Sequence, residues 1–282
     1  MNIPLVNGCP APGVYKNVPM REYASWDAAN YSTLEHYGRS ALHGWYEETH
    51  PRETTDAQAL GSAAHSIILE PLQFEQDYVQ VPSTIKRKVT EKAWINWQRA
   101  NEGKLRLLKE EWELVTGMRD AVYAHPTAAA ILTAPGINEV GLVWQDFETG
   151  TLCKARIDRF TSLNGYSLIV DVKTARDARP MAMGKALYQL GYHRQGAWYI
   201  AGAARLDPRE RKFVQLVVEN EPPHAVAVYE IDGPSLEIGH AEVRINLDRY
   251  LRAHAGSRPG YDDGMGLLSL PGWAQKFHGE EA

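Results

Sequence analysis

Cysteine is scarce in this 282-residue chain, which carries only Cys9 and Cys153. Two thiols cannot build a disulfide framework, and they fall short of the four that hold an iron–sulfur cluster. Long apolar runs are missing too. No stretch approaches the roughly 20 residues of a bilayer-crossing helix, and the opening Met1-Asn-Ile-Pro-Leu-Val-Asn-Gly lacks the basic-then-apolar build of a secretion signal. A cytoplasmic protein with no membrane partner is expected. Repeats and low-complexity tracts are also absent. With 44% hydrophobic residues the chain can bury a substantial core, as one domain with extensions or at most two.

An excess of positive charge is the last absence, since the net charge is −5. The average hides the distribution. Residues 151–212 hold twelve lysines and arginines against five acidic residues, a local charge of +7. A second basic cluster, Lys86-Arg87-Lys88 through Lys92, Arg99, Lys104, Arg106 and Lys109, interleaves with Trp94 and Trp97. Basic residues among aromatics suit a nucleic-acid backbone and an unstacked base. They equally suit a solvated amphipathic helix whose tryptophans pack inward.

Inside the basic island, Arg156-Ile157-Asp158 is followed past a turn by Leu168-Ile-Val-Asp-Val-Lys-Thr174. A strand alternates its side chains, so Asp171 and Lys173 share one face with Ile169 while Val170 and Val172 point into the opposite layer. Two carboxylates and a lysine placed together suit phosphodiester cleavage. That reaction needs a nucleophilic hydroxide near neutral pH and relief of charge in the transition state, both supplied by a carboxylate-held divalent cation. Hard oxygen ligands favour Mg²⁺ or Mn²⁺. Lys173 would orient or deprotonate the attacking water if the metal's field and partial burial lower its pKa. Taken alone, Asp-x-Lys is a weak signal, because Asp171 can also cap the strand and Lys173 be a solvated charge.

The surroundings strengthen it. Residues 139–147 and 151–158 read as a hairpin around Glu148-Thr-Gly150, and residues 166–174 as a third strand, which brings Asp158 beside Asp171. Residues 181–204 have helical spacing. Earlier, Ser32-Thr-Leu-Glu35 resembles a capping box opening a helix over 34–46, and residues 91–130 read as one or two helices ending near Pro135-Gly136. Later, residues 213–219 and 225–231 read as a hairpin at the far side of the sheet, and residues 236–253 as a final amphipathic helix. The layout expected is an extension over 1–30, a domain over 31–255 with a helical part to about 135 and a sheet core over about 136–231, and a tail over 256–282.

The ordered set Gly61-Ser-Ala-Ala-His65, Arg156-Ile-Asp158, Asp171-Val-Lys173 and Gln195-Gly-Ala-Trp-Tyr199 resembles the PD-(D/E)xK nuclease superfamily. Within it, the set is similar to the phage and prophage exodeoxyribonuclease VIII (RecE-type) exonuclease domain, from about Tyr31 to Tyr199. The resemblance implies an α/β (α+β) restriction-endonuclease-like core, a central mixed sheet flanked by helices, with a helical N-terminal extension. It implies a Mg²⁺-dependent exonuclease, Mn²⁺ substituting, that degrades linear double-stranded DNA from its ends 5′→3′. The 3′ single strands would pass to a phage annealing protein for recombination in a bacterial host, and the enzyme would be a homo-oligomer.

The same resemblance gives each residue a role. His65 would ligate the metal through imidazole, Asp158 and Asp171 through carboxylates and Val172 through its carbonyl, with Lys173 catalytic. Gln195 and Tyr199, one helical turn apart, would face the site or the DNA backbone, as would Arg156 and Arg194. The second acidic position is Asp where many members have Glu. Read without the family, a histidine among alanines is more often packed or solvated, although Gly61 one turn earlier permits close approach of another element. Glu139 would be an outer ligand for a second metal or a support, or an exposed residue at a strand start, and the last is favoured. A related endonuclease or nickase, and a non-catalytic DNA-binding protein that kept the fold, are the alternatives.

Overall fold

In the computed structural model, which describes residues 3–6, 8–53, 55–84, 91–261 and 264–271, the apolar run around Asp171 lies in the middle of a seven-stranded mixed sheet. The chain begins with short pieces: β1 (Leu5–Val6), β2 (Cys9–Pro10), β3 (Gly13–Tyr15), α1 (Met20–Ser25), β4 (Ala29–Asn30), α2 (Tyr31–His36) and α3 (Ala41–Thr49). A mainly helical segment follows, with α4 (Asp56–Leu69), α5 (Pro71–Asp77), β5 (Tyr78–Gln80), α6 (Lys92–Ala100), β6 (Leu105–Leu107), α7 (Lys109–Ala124) and α8 (Pro126–Thr133). The last part comprises β7 (Gly136–Gln145), β8 (Leu152–Leu163), β9 (Tyr166–Ala175), α9 (Pro180–Gln189), α10 (Tyr192–Leu206), β10 (Lys212–Glu219), β11 (Val226–Glu230) and α11 (Gly233–His254).

The main sheet runs β11-β10-β9-β8-β7-β3, with β4 also on β8. Strands β7, β8 and β9 form an antiparallel meander, while β9 and β10 are parallel, joined by the α9–α10 crossover. Strand β9 follows β8 only from Leu163 back to Arg159, and β4 takes up the same edge of β8 at Cys153 and Lys154. Between them the edge of β8 is open over residues 155–158. That notch is where the sheet can present polar groups instead of pairing them.

Period-two alternation sorts the centre into two cores. Leu168, Val170 and Val172 of β9 join Val214, Leu216 and Val218 of β10 beneath α4, α7 and α8. Ile169 and Phe213 face the other way, against Trp198, Tyr199 and Ala203 of α10 and Val243 and Leu247 of α11. Buried on both faces, β9 and β10 are nearly continuous apolar runs. Helix α10 lies close to the sheet because it carries glycine at the contacts: a methyl on Gly196 would come within 2.4 Å of Phe213 and one on Gly202 within 2.6 Å of Trp144.

Several local expectations need correction. Residues 181–204 form two helices, because Gly191 adopts a left-handed conformation (φ 69°) between α9 and α10. The Ser32 capping box is not used. Asn30 caps α2 and Ser40 caps α3, each accepting from a backbone N–H, so the segment breaks into two short helices. Residues 91–130 contain most of three helices and a strand. Within residues 1–30, β3 and β4 join the main sheet. Trp94 is buried and stacks on Trp97 (5.2 Å between centroids), with Arg106 over both rings, which realises the inward-packing alternative. Lys86, Arg87 and Lys88 lie outside the described residues.

Candidate active site

The notch in β8 is built by three departures from regular strand geometry. Pairing of β8 with β9 stops at Arg159 and Val170, one step short of Asp158 and Asp171. There the Asp158 side chain takes over, and the Val172 main-chain N–H donates to its Oδ2 (2.7 Å). On the other flank Glu139, opposite Asp158 between the pairs Asn138–Arg159 and Val140–Ile157, has a left-handed backbone (φ 50°). Such a conformation at a non-glycine residue costs about 1–3 kcal/mol and gathers at functional sites.

Helix α4 then brings His65 over the notch. Gly61 faces Thr174 at a spacing that a methyl would just fill (3.4 Å), so α4 approaches β9 closely here. The imidazole lies between two carboxylates, Nε2 at 2.7 Å from Asp158 Oδ2 and Nδ1 at 3.2 Å from Glu139 Oε1. Both ring nitrogens therefore donate, which assigns a charged imidazolium. Burial opposes that charge, but Asp158 and Glu139 outweigh it and push the pKa up to about 10. Glu139 is buried and held on its other oxygen by Arg156 (2.9 Å), so it is not the exposed strand-start residue that the sequence favoured.

Asp171 lies beneath, 1% exposed, with Lys173 Nζ at 3.0 Å from Oδ1 and 2.8 Å from Oδ2. The Oδ2 contact lacks hydrogen-bond geometry, which leaves that buried oxygen without a hydrogen-bond donor. The two aspartates are driven apart in acidity. At Asp158 burial acts to raise the pKa, but His65 more than offsets it and the group stays below the ordinary carboxylate range. At Asp171 burial prevails over Lys173 and the pKa is raised to about 6. Lys173 is held above its ordinary value because Asp171 and Asp158 overcome its burial. Paired with these carboxylates, Lys173 stands as an ammonium beside the face of Tyr192 (4.9 Å).

On α10, Gln195 donates to the Tyr199 hydroxyl (2.9 Å), and burial, with the nearby charges of Asp171 and Asp158, raises the Tyr199 pKa. Arg194 sits elsewhere in the wall. It grips Glu35 (2.6 Å) and Glu242 (2.7 Å), tying α2 and α11 to α10. Much of the basic island is committed in the same way. Lys154 donates to the carbonyls of Tyr23 and Trp26, Arg159 to that of Ile131, and Arg179, Arg211 and Lys212 pair with Asp177, Asp207 and Glu230. A cleft of about 2570 Å³ opens above the notch, reached by Glu139, Arg156, Asp158, Lys173, Tyr192, Gln195 and Tyr199. Among the described residues its lining carries nine carboxylates and six lysines or arginines.

Neither Tyr192 nor the Glu35–Arg194–Glu242 tie was anticipated. Tyr192 carries no local signal, being an ordinary helix-start residue, and the tie joins positions far apart in sequence. The donor set fits a hard divalent cation: one imidazole, two or three carboxylates and a carbonyl, around a buried oxygen that lacks a donor. Among the described residues no three of these groups are arranged to hold an ion as they stand. His65 and Lys173 fill that role with their protons instead. Mn²⁺ binding is therefore expected to release about one proton per ion at pH 7–8, and to tighten about tenfold per unit rise in pH below the His65 pKa. Calorimetry in two buffers of different ionisation enthalpy reads the proton number, and binding without release would remove His65 from the ligand set.

An aspartate pair and a lysine at the split of a mixed sheet, under a helix-borne histidine, define a nuclease-like core of the PD-(D/E)xK type. The chain belongs to the family described as "PDDEXK-like domain of unknown function (DUF3799)", which it matches over residues 31–264. No curated protein matches it. A solved structure from Eubacterium rectale, named provisionally as an exonuclease, is 14% identical and covers 93% of this chain and 99% of its own, with a TM-score of 0.60. That likeness supports the fold. A second, SSO0001, is also 14% identical, over 75% of this chain and 84% of its own, but its TM-score of 0.28 carries no argument.

Proposed function

We propose that this protein is a Mg²⁺-dependent exodeoxyribonuclease, Mn²⁺ substituting, that hydrolyses linear double-stranded DNA from its ends, 5′→3′, leaving 3′ single strands. The observation that carries the hydrolase reading is the meeting of His65, Asp158, Asp171 and Lys173 in the β8 notch at the floor of an open cleft. The four-motif order and the exonuclease name of the Eubacterium rectale protein support the exonuclease part. The setting belongs to the same proposal: a cytoplasmic homo-oligomer in phage recombination, passing its product to a single-strand annealing protein. Among the described residues no helix is long and apolar enough to cross a membrane.

His65, Asp158, Asp171 and the Val172 carbonyl would hold the divalent cation, which supplies water activation and charge neutralisation at the scissile phosphate. Arg156 and His65 keep Glu139 in place beside this set. Lys173, an ammonium, has protons to give. Its part is to donate to a phosphate oxygen and to oppose the charge that develops there. Gln195 and Tyr199 present polar groups along the same wall, and Tyr192 keeps Lys173 directed across the notch.

Digestion of linear duplex DNA labelled at either terminus, beside covalently closed circular DNA, tests the proposal with Mg²⁺, Mn²⁺ or EDTA. Loss of the linear substrate alone, stopped by EDTA, with the 5′ label released first, is expected. Cutting of the circle would replace it with an endonuclease or nickase. Binding without cleavage would leave a DNA-binding protein that kept the fold.

A further inference from the structure

Between its charged ends β10 is apolar except for Gln215. Gln215 is 1% exposed, and its Nε2 is fully buried with no hydrogen-bond partner. An unpaired amide in the centre of a sheet destabilises the fold, and leucine or methionine would fill the same space without that penalty. Folding therefore does not account for a glutamine here. Its neighbours do.

In the parallel register Gln215 stands directly opposite Asp171 of β9, and on its other side opposite Tyr229 of β11. Side chains in register share a face, and the face is known: Ile169 and Phe213 pack towards α10, whereas Val170, Val214 and Leu216 pack the other way. Gln215 is thus on the face that carries Asp171 and Lys173. Phe213 and Val217, its flanking residues on that face, offer no acceptor. Tyr229 donates its hydroxyl to the Ala178 carbonyl (2.6 Å). Asp171 does offer one, for its Oδ2 is the buried oxygen that lacks a hydrogen-bond donor. A donor without an acceptor stands next to an acceptor whose close partner is the Lys173 ammonium, on adjacent strands.

We infer that Gln215 is a positioning residue for Asp171, its amide taking hold of the carboxylate when Lys173 turns from it to the reacting phosphate. The inference rests on the reading of Asp171 as a cation ligand. A neutral donor suits this task better than a second cation, because it fixes the carboxylate without cancelling the negative charge that holds the metal. Partners of this kind, hydrogen-bonded to a ligand rather than to the ion, typically change metal affinity about 10–100-fold.

The test is Mn²⁺ calorimetry and thermal melting of the full chain, on wild type, Gln215→Met, Gln215→Asn and Asp171→Asn. Gln215→Met is expected to melt at or above the wild-type temperature without metal, yet to bind Mn²⁺ about 10–100-fold more weakly. Gln215→Asn, which keeps the donor at shorter reach, should recover part of the affinity. Wild-type affinity in Gln215→Met overturns the inference. So does a Met variant that fails to fold or loses melting temperature with affinity intact, since either would make Gln215 a core residue alone. Wild-type affinity in Asp171→Asn is a different result, for it would remove the reading of Asp171 on which the inference stands.

Discussion

Replacing Asp171 by asparagine is expected to reduce DNA cleavage by at least about a thousandfold while the protein stays folded. Asparagine keeps the shape of the side chain at a site that is 1% exposed, so packing between β9 and α10 is retained. What it removes is a charge that the fold tolerates poorly. Burial is the largest influence on Asp171 and lifts its pKa to about 6, above the ordinary carboxylate value. A carboxyl whose folded pKa is raised binds its proton more tightly in the native state. The contribution of Asp171 to stability therefore falls as pH rises from about 4 to about 6, and stays at the lower level above that window. The asparagine variant has no such loss, and its melting temperature at pH 7–8 should equal or exceed that of wild type. Calorimetry should show Mn²⁺ binding abolished or greatly weakened. Wild-type turnover by this variant would remove Asp171 from the site.

Lys173→Met should give the complementary result. Turnover is expected to fall about 10²–10³-fold, the usual range for removing one donor that stabilises charge developing in the transition state. Mn²⁺ affinity should be kept or improved, because methionine preserves much of the aliphatic stem but deletes an ammonium 2.8 Å from a ligand oxygen. The pairing of the two variants separates the roles: Asp171 is needed to bind the cation, Lys173 to use it. Loss of Mn²⁺ affinity in Lys173→Met would instead make the lysine a structural support for Asp171. A turnover close to wild type would leave the reaction without the ammonium assigned to it.

Much of the site is legible in the chain because its geometry is local. Asp171 and Lys173 fall on one face of β9 by period two, and a hairpin followed by a strand brings Asp158 beside them. His65 is different. It sits on a helix with no contact to the strands implied by spacing, and only the ordered motifs that resemble a known superfamily pointed to it. The structure places it at 2.7 Å from Asp158.

Charge is where local reading misleads. The basic island from 151 to 212 reads as a surface for DNA, yet Lys154, Arg159, Arg194 and Arg211 are committed to carbonyls and carboxylates within the fold. Apart from Asp207, four residues before Arg211, those partners lie on α1, α2, α8 and α11 or in loops, so no count along the chain could find them. Glu139 was misread for the same reason. A glutamate near a strand start looks solvated until β7, β8 and α4 close over it with Arg156 on one oxygen and His65 on the other.

The sequence by itself determined the mixed α/β core, the strand that carries Asp171 and Lys173, and the order of the four motifs, because alternation and turn chemistry act over a few residues. Tertiary structure alone decided that β9 leaves β8 at Arg159, that His65 is a cation between two carboxylates, and that Lys173 is ion-paired with buried Asp171. It also decided that Gln215 lies beside Asp171. Each of these depends on which strands are neighbours and on how far water is excluded between them, and both are set by elements that fold together from distant parts of the chain.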